Sequence, residues 1–293
     1  MSNLTHNHAA RAHHLPTYHL IAAQVAAALA EDIGSGDISA QLIAAETTMH
    51  ARLITREAGI LCGTAWFDET LRQIDEHIEV HWQASDGDAV EPEQTLCELR
   101  GPARGVLTAE RTAMNFLQTL SGTATAAHRY SQMLAGTNTR LLDTRKTLPG
   151  LRLAQKYATR CGGADNHRLG LYDQFLIKEN HIHAAGSIRQ AVENARQLQA
   201  QTFLEVEVEN LEQLAEACAA GADRAMLDNF PLALLKEAMD NYGEQIELEA
   251  SGNVTIGDLR MVAATGVHYV SIGAITKHVR ALDLSLRYQE VES

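Results

Sequence analysis

Basic residues are scarce in this 293-residue chain: 24 Lys and Arg stand against 37 Asp and Glu, a formal net charge of −13. On average such a surface repels nucleic acid and anionic membranes, so neither is expected as a partner. Long apolar runs are missing too. Nothing reaches the ~18 residues of a membrane helix, and the greasiest stretch, His19 to Ala30, is broken by Gln24 and followed at once by Glu31 and Asp32. The N-terminal segment has a single Arg, Arg11, and no basic, apolar, small-residue series of a secretory signal, so the expected compartment is the cytoplasm. The four cysteines (Cys62, Cys97, Cys161 and Cys218) lie far apart with no C-x-x-C pair. That disfavours a disulfide framework or a structural zinc site and leaves reduced, mostly buried small side chains.

What is present is an ordinary globular composition, 45% hydrophobic and 21% charged, in a length that fits one large or two moderate domains. Residues 1–16 are polar and His-rich (His6, His8, His13, His14) and read as a disordered tail. Helical periodicity follows from Tyr18 to Ala30. Strand patterns at Ala51 to Ile60, His77 to Gln83 and Thr95 to Arg100 are separated by a helix at Gly63 to Ile74 and a turn at Asp86-Gly87-Asp88. Gly105 to Leu134 reads as a long helix, broken or loosened near Ser121-Gly122. The first ~110 residues are thus expected to form a mixed α+β domain.

After Gly136 short apolar runs alternate with helical patterns. The strands are expected at Arg140 to Thr144, Gln174 to Lys178, Phe203 to Val208, Arg224 to Leu227, Ile246 to Ala250 and Tyr269 to Ile272. The helices between them are expected at Leu148 to Arg160, Ser187 to Leu198, Leu211 to Ala220, Pro231 to Met239 and Thr255 to Ala263, with one more at the end. Six strand–helix units predict a parallel sheet. Their short, even spacing, with no G-x-G-x-x-G after the first strand, favours a β/α barrel over a dinucleotide-binding sheet.

Each strand run ends in a residue with chemistry to offer: Arg145 and Lys146, Lys178, Glu207, Asp228, Ser251 with Gly252, and Gly273. Strand ends of a β/α barrel share one rim, where the active site is built. From Arg145 to Arg168 there are six basic residues and one acid, Asp165, a patch suited to a small polyanion. Arg152, Lys156 and Arg160 are read as solvated helix charges. Arginine forks grip carboxylate or phosphate with two hydrogen bonds, and Glu207 and Asp228 could hold a hydrated Mg2+ or ribose hydroxyls. The loops Ser251-Gly252-Asn253 and Ile272-Gly273-Ala274 are small and are expected to lead into helices whose first N–H groups bind phosphate. In Glu205-Val206-Glu207-Val208-Glu209 alternation puts the acids on one face, expected to point into the barrel because helices cover the outside.

These segments resemble one family. Thr144-Arg145-Lys146-Thr147 with Pro149-Gly150, Gly162-Gly163-Ala164-Asp165-Asn166-His167-Arg168-Leu169-Gly170-Leu171 and Ile177-Lys178-Glu179-Asn180-His181-Ile182 are similar to quinolinate phosphoribosyltransferases. So are Glu110-Arg111-Thr112-Ala113-Met114-Asn115, Glu205 to Glu209, Met226-Leu227-Asp228-Asn229, Ser251-Gly252-Asn253 and Ser271-Ile272-Gly273-Ala274. The likeness runs from about Glu31 to Leu286. It implies an α/β fold, an N-terminal α/β sandwich domain plus a C-terminal open, incomplete TIM-like α/β barrel. The expected bounds are 17–114 for the sandwich, with 281–293 returning to it, and 115–280 for the barrel. It also implies a carboxylating transferase that joins quinolinate to phosphoribosyl pyrophosphate with Mg2+, in a homodimer where Arg111 reaches the partner's site. By the same resemblance Arg145, His167, Arg168 and Lys178 would bind the quinolinate carboxylates, and Thr144 belongs to the substrate-binding set. Lys146 would neutralise the phosphoribosyl substrate or its pyrophosphate, and Glu207 and Asp228 would hold ribose hydroxyls and Mg2+. Ser251, Gly252, Asn253, Ile272, Gly273 and Ala274 would take the 5′-phosphate, with Lys277 and His278 as further contacts. Lys146, Lys178, Glu207 and Asp228 are the expected catalytic set.

Three alternatives remain open at this point: a paralogue of the same fold linked to molybdenum transport, a Schiff-base barrel aldolase with Lys178 as the amine, and a non-catalytic phosphate-sensing barrel.

Overall fold

The structure, a computed structural model, describes residues 15–292; the tail expected at 1–16 falls almost wholly outside them. The chain divides into two compact units, one running to Leu120 and resuming at Leu282, the other Ser121–Ala281.

The first unit holds α1 (Tyr18–Ile33), β1 (Thr48–Thr55), β2 (Gly59–Ile60), α2 (Thr64–Ile74), β3 (Glu79–Trp82), β4 (Ala89–Val90) and β5 (Thr95–Pro102). β1 lies between β5 and the chain's last strand (Leu284–Glu292), all antiparallel, and β3 adds to β5. Period-2 alternation drives this sheet. Met49, Ala51 and Leu53 of β1 point to the same core as Cys97 and Leu99 of β5, where Phe67 and Leu71 of α2 meet them. The long helix α3 (Ala103–Met133) supplies Val106, Ala109, Ala113 and Leu117 to that core. No break occurs at Ser121-Gly122, contrary to the expectation. A Cβ at Gly122 would sit 2.2 Å from the Arg280 carbonyl oxygen, so this glycine is there for close backbone approach.

The second unit continues with β6 (Arg140–Leu142), α4 (Arg152–Cys161), β7 (Phe175–Ile177), α5 (Glu179–Ala185), α6 (Ile188–Leu198) and β8 (Leu204–Val208). Next come α7 (Leu211–Ala220), β9 (Arg224–Asp228), α8 (Leu232–Tyr242), β10 (Glu247–Ser251), α9 (Leu259–Ala264), β11 (Tyr269–Ser271) and α10 (Ala274–Lys277). All six strands are parallel, in the order β6-β11-β10-β9-β8-β7. The first strand beside the last is the closure of a barrel. It stays open at the seam between β6 and β7, where the Leu142–Asp165 bridge adds to the β6 edge.

Alternation sorts this sheet into two chemistries. Val206, Val208, Ala225, Leu227, Leu248, Ala250, Val270 and Ile272 join Ile188, Val192, Leu214, Leu235 and Val262 of the helices in one core. Burying each large aliphatic side chain there contributes about 1.5–3 kcal/mol. The alternate residues, among them Glu205, Glu207, Arg224, Asp228, Glu247, Glu249, Ser251 and Ser271, face the barrel interior. That interior is polar, and Glu205 and Glu249 are fully buried in it.

Candidate active site

At the barrel floor, Arg224, Glu247 and Tyr269 begin their strands. Arg224 Nη2 donates to Glu247 Oε2 at 2.8 Å, and the guanidinium stacks 3.9 Å from the centroid of the Tyr269 ring. Above them lie Glu205 and Glu249, with His167 brought in by the loop that precedes β7. At the strand ends, Lys178 caps β7 and Glu207, Asp228 and Ser251 close β8, β9 and β10.

The His167 loop is fastened by Asp143. Its carboxylate accepts from Lys156 Nζ at 2.5 Å, from Asn166 Nδ2 at 2.8 Å and from the His167 backbone N–H at 2.9 Å. Lys156 also donates to the His167 carbonyl at 2.9 Å. Burial works against both charges, raising the Asp143 carboxyl and lowering the Lys156 ammonium; the converging hydrogen bonds offset that cost. Lys156, 2% exposed, is therefore no solvated helix charge. Asp143 went unnoticed in the sequence, and Lys156 was read with the wrong environment. No sequence signal marked them: α4 buries small, apolar and polar positions alike, which leaves Lys156 no solvent face.

His167 uses both ring nitrogens inside the protein. Nδ1 accepts the Arg168 backbone N–H at 2.7 Å, which leaves the ring hydrogen on Nε2. Nε2 lies 2.9 Å from Glu205 Oε2 and 3.6 Å from Glu249 Oε2, near but off the line of a hydrogen bond. Burial holds the imidazole below its usual pKa, so it is neutral at pH 7.

Arg145 and Arg168 lie near each other, and among the described residues neither makes a salt bridge, although the Glu205 and Asp173 charges act on Arg168 from farther off. Arg145 Nε is buried and has no hydrogen-bond partner, and Arg168 reaches only the Gln174 carbonyl, at 3.5 Å. Burial, and then the like charge of Arg145, lower the Arg168 guanidinium. Two neighbouring cations with an unused donor suit a dicarboxylate or another polyanion.

The remaining expected residues sort by environment. Lys178 is clasped by Glu207, and Asp228 accepts from Asn229 Nδ2 at 2.9 Å. Thr144 Oγ1 accepts the Lys146 N–H at 3.1 Å, and the Lys146 side chain crosses so near Gly273 that a Cβ there would meet Lys146 Cδ at 2.9 Å. Buried Gln155, another residue missed, ties these loops together: Oε1 accepts the Leu148 N–H at 2.7 Å and Nε2 donates to the Thr276 carbonyl at 2.9 Å. Gly252 has φ +93 and a Cβ there would strike Asn229 Oδ1 at 2.2 Å, so only glycine fits. Asn229 and Asn253 are left-handed too. Ile272 is buried in the core and its N–H is spent on the Leu142 carbonyl at 2.9 Å. Lys277 and His278 are exposed. Arg111 is exposed on α3, in the first unit.

The loop after β10 does not lead straight into a helix as expected. Asp258 Oδ2 accepts from Thr255 N at 2.9 Å and from Thr255 Oγ1 at 2.6 Å, closing a turn, and α9 begins only at Leu259. α10 spans four residues, too few to sum a large dipole. Phosphate would therefore meet turn and strand-end backbone here, not a long helix start. Among the described residues, three metal-type donors come together in His167, Glu205 and Glu249. A groove of about 460 Å³ in the first unit, lined by Tyr18, Asp68, Glu69 and Arg72, offers Glu69 and Arg72 already paired at 2.7 Å.

An open β/α barrel with an unpaired arginine couple and carboxylates on its rim defines a barrel enzyme for small polyanionic substrates. The chain belongs to the quinolinate phosphoribosyl transferase family: the family's N-terminal domain matches residues 37–121 and its C-terminal domain 123–287. It is similar to a solved nicotinate-nucleotide pyrophosphorylase from Francisella tularensis, at 46% identity and a TM-score of 0.92 over 94% of this chain and 99% of that one. A probable nicotinate-nucleotide pyrophosphorylase [carboxylating] of Bacillus subtilis is 42% identical over 87% of this chain and 89% of its own length. The nicotinate-nucleotide pyrophosphorylase [carboxylating] of Mycobacterium leprae is 39% identical over 88% and 94%.

Proposed function

We infer that this chain transfers phosphoribosyl from phosphoribosyl pyrophosphate to quinolinate with loss of CO2, giving nicotinate mononucleotide in NAD biosynthesis. Family membership gives the reaction, and the observation that carries the site is the couple Arg145–Arg168 with its unpartnered Nε. Quinolinate brings two adjacent carboxylates, the ligand such a couple fits. Lys178 extends the cationic side, and His167 acts through its bond to the Arg168 N–H.

The quinolinate nitrogen attacks C1 of the ribose as pyrophosphate departs with the electrons of the C–O bond. Lys146 stands by to neutralise the leaving group. The new pyridinium withdraws electrons, so the 2-carboxylate leaves as CO2, its electron pair remaining on C2 until that carbon takes a proton. Positioning and charge stabilisation carry most of this chemistry. Glu207 and Asp228 would orient the ribose hydroxyls, and Ser251, Gly252, Asn253, Gly273 and Ala274 would take the 5′-phosphate, without Ile272, whose N–H is already bonded to the Leu142 carbonyl. Glu207 and Asp228 are half-buried oxygen donors, with Glu207 already facing Lys178. Those carboxylates are the residues that would hold a hydrated Mg2+. The ion's contribution would be neutralisation of pyrophosphate charge.

We further propose a homodimer in which Arg111 serves the partner's site, and a cytoplasmic location, in keeping with four free cysteines. The test is an assay with quinolinate, phosphoribosyl pyrophosphate and Mg2+ that follows nicotinate mononucleotide and CO2 together. Equal yields, lost on chelation, are expected; absence of product from folded protein would overturn the reading. Borohydride trapping with a carbonyl substrate is expected to leave Lys178 unmodified, as no imine forms.

A further inference from the structure

The acids beneath the rim have no part in the reaction as described. Glu249 is fully buried and neither of its carboxylate oxygens has a hydrogen-bond donor; Glu205 Oε1 and His167 Nε2 are unpartnered as well. Ligand atoms of the three residues lie within 4.8 Å of one another. Such a cluster can hold a cation or a proton. Two features argue against a metal. His167 Nδ1 is engaged as an acceptor, so Nε2 carries the hydrogen and turns no lone pair toward the acids. Arg224 Nη1, a fixed positive charge, lies 3.6 Å from Glu249 Oε2. A proton satisfies the geometry, because a neutral carboxyl supplies the donor that the cluster lacks.

We propose that Glu249 bears a proton and donates it to Glu205, and that this pair is a positioning device that keeps a second negative charge from beneath His167 and thereby holds Arg168 for the substrate. This rests on the reading that Arg168 binds a quinolinate carboxylate. The groups facing Glu249 are Glu205 from β8, Arg224 from β9, Ser271 from β11 and His167 from the loop before β7, with Glu247 two residues back on its own strand. Behind His167 stand Lys156 and Asp143. Burial, then the Glu205 charge, push the Glu249 carboxyl up to about 8, against His167, Arg224 and the Ser271 hydroxyl; that hydroxyl is itself directed to Ser251 Oγ at 3.3 Å. Loss of the proton would put a second negative charge beside Glu205 and under His167, and would remove the donor that joins the two acids. The two carboxylates would repel each other and press on the His167 ring packed against them, whose Nδ1 receives the Arg168 N–H. The Arg168 loop would shift and the added charge would repel a dianionic substrate.

The experiment compares wild type, Glu249→Gln and Glu205→Gln between pH 6 and 10, with both substrates varied. For wild type, kcat/KM for quinolinate should fall about tenfold per pH unit above about 8, while KM for phosphoribosyl pyrophosphate holds steady. Glu249→Gln, which mimics the protonated carboxyl, should stay within about threefold of wild type at pH 7 and lose that alkaline fall. Glu205→Gln removes the charge that raises Glu249, so its fall should begin at lower pH. Infrared spectra at pH 7 should contain a protonated-carboxyl band that Glu249→Gln abolishes. An alkaline limb unmoved in both variants, or no such band, overturns the proposal. A quinolinate KM unchanged by Arg168→Ala, with the band intact, overturns the reading of the site instead.

Discussion

A guanidinium nitrogen buried without an acceptor costs free energy unless a ligand supplies one, and Arg145 Nε is such an atom. Arg145→Ala should therefore leave the melting temperature almost unmoved while kcat/KM for quinolinate drops by two to three powers of ten, about 3–4 kcal/mol. Steady-state kinetics beside a thermal melt checks both halves. Lys156 gives the opposite pattern. Lys156→Met strands the Asp143 carboxylate and frees the His167 loop, so urea unfolding should register a loss of about 3–5 kcal/mol, with activity falling in step. Glu249 adds a pH signature. Its folded-state pKa, about 8, lies above the ordinary 4.5, so the native state binds the extra proton between those values. Its contribution to stability is thus present below about 4.5 and is lost as pH rises through about 8. The melting temperature of Glu249→Gln relative to wild type should accordingly climb from pH 5 to pH 8.

Among the elements, α3 shows how a glycine misleads. Read along the chain, Ser121-Gly122 looks like a weak point, since glycine costs a helix about 1 kcal/mol against alanine. The helix continues because Gly122 admits the Arg280 backbone, a residue 158 positions away. Gly122→Ala should destabilise the protein by about 1–3 kcal/mol, despite alanine's better helix propensity, and a chemical denaturation curve would reveal it. α5 was missed for the converse reason: none of its residues is buried, so it carries no apolar period for a reader to find. The strands were legible because their outward residues are aliphatic and their inward ones polar. The start of α9 was not, because Thr255 to Asp258 continue a helical pattern while the Asp258 side chain closes a turn instead.

For the whole molecule, the proposed dimer makes a quantitative demand. Arg111→Ala and Arg145→Ala should each be nearly inactive alone. Mixed in equal amounts and allowed to exchange subunits, they should regain about a quarter of wild-type activity, because half the dimers are hybrids and each hybrid holds one complete site. No recovery from two inactive variants would place Arg111 in its own subunit's site, and an active Arg111→Ala would place it outside the site altogether. The sequence by itself determined the two-layered alternation of the barrel strands, the gathering of Arg145, Lys178, Glu207, Asp228 and Ser251 at strand ends, and the family. These follow from local period and from residues near one another in the chain. Only the tertiary structure decided that Asp143 and Lys156 pair in the dark behind the His167 loop, that His167 turns its proton toward Glu205 and Glu249, and that Gly122 and Gly273 exist to let other atoms pass. Each of those depends on groups brought together from distant parts of the chain, where burial rather than residue type sets the charge and the partner.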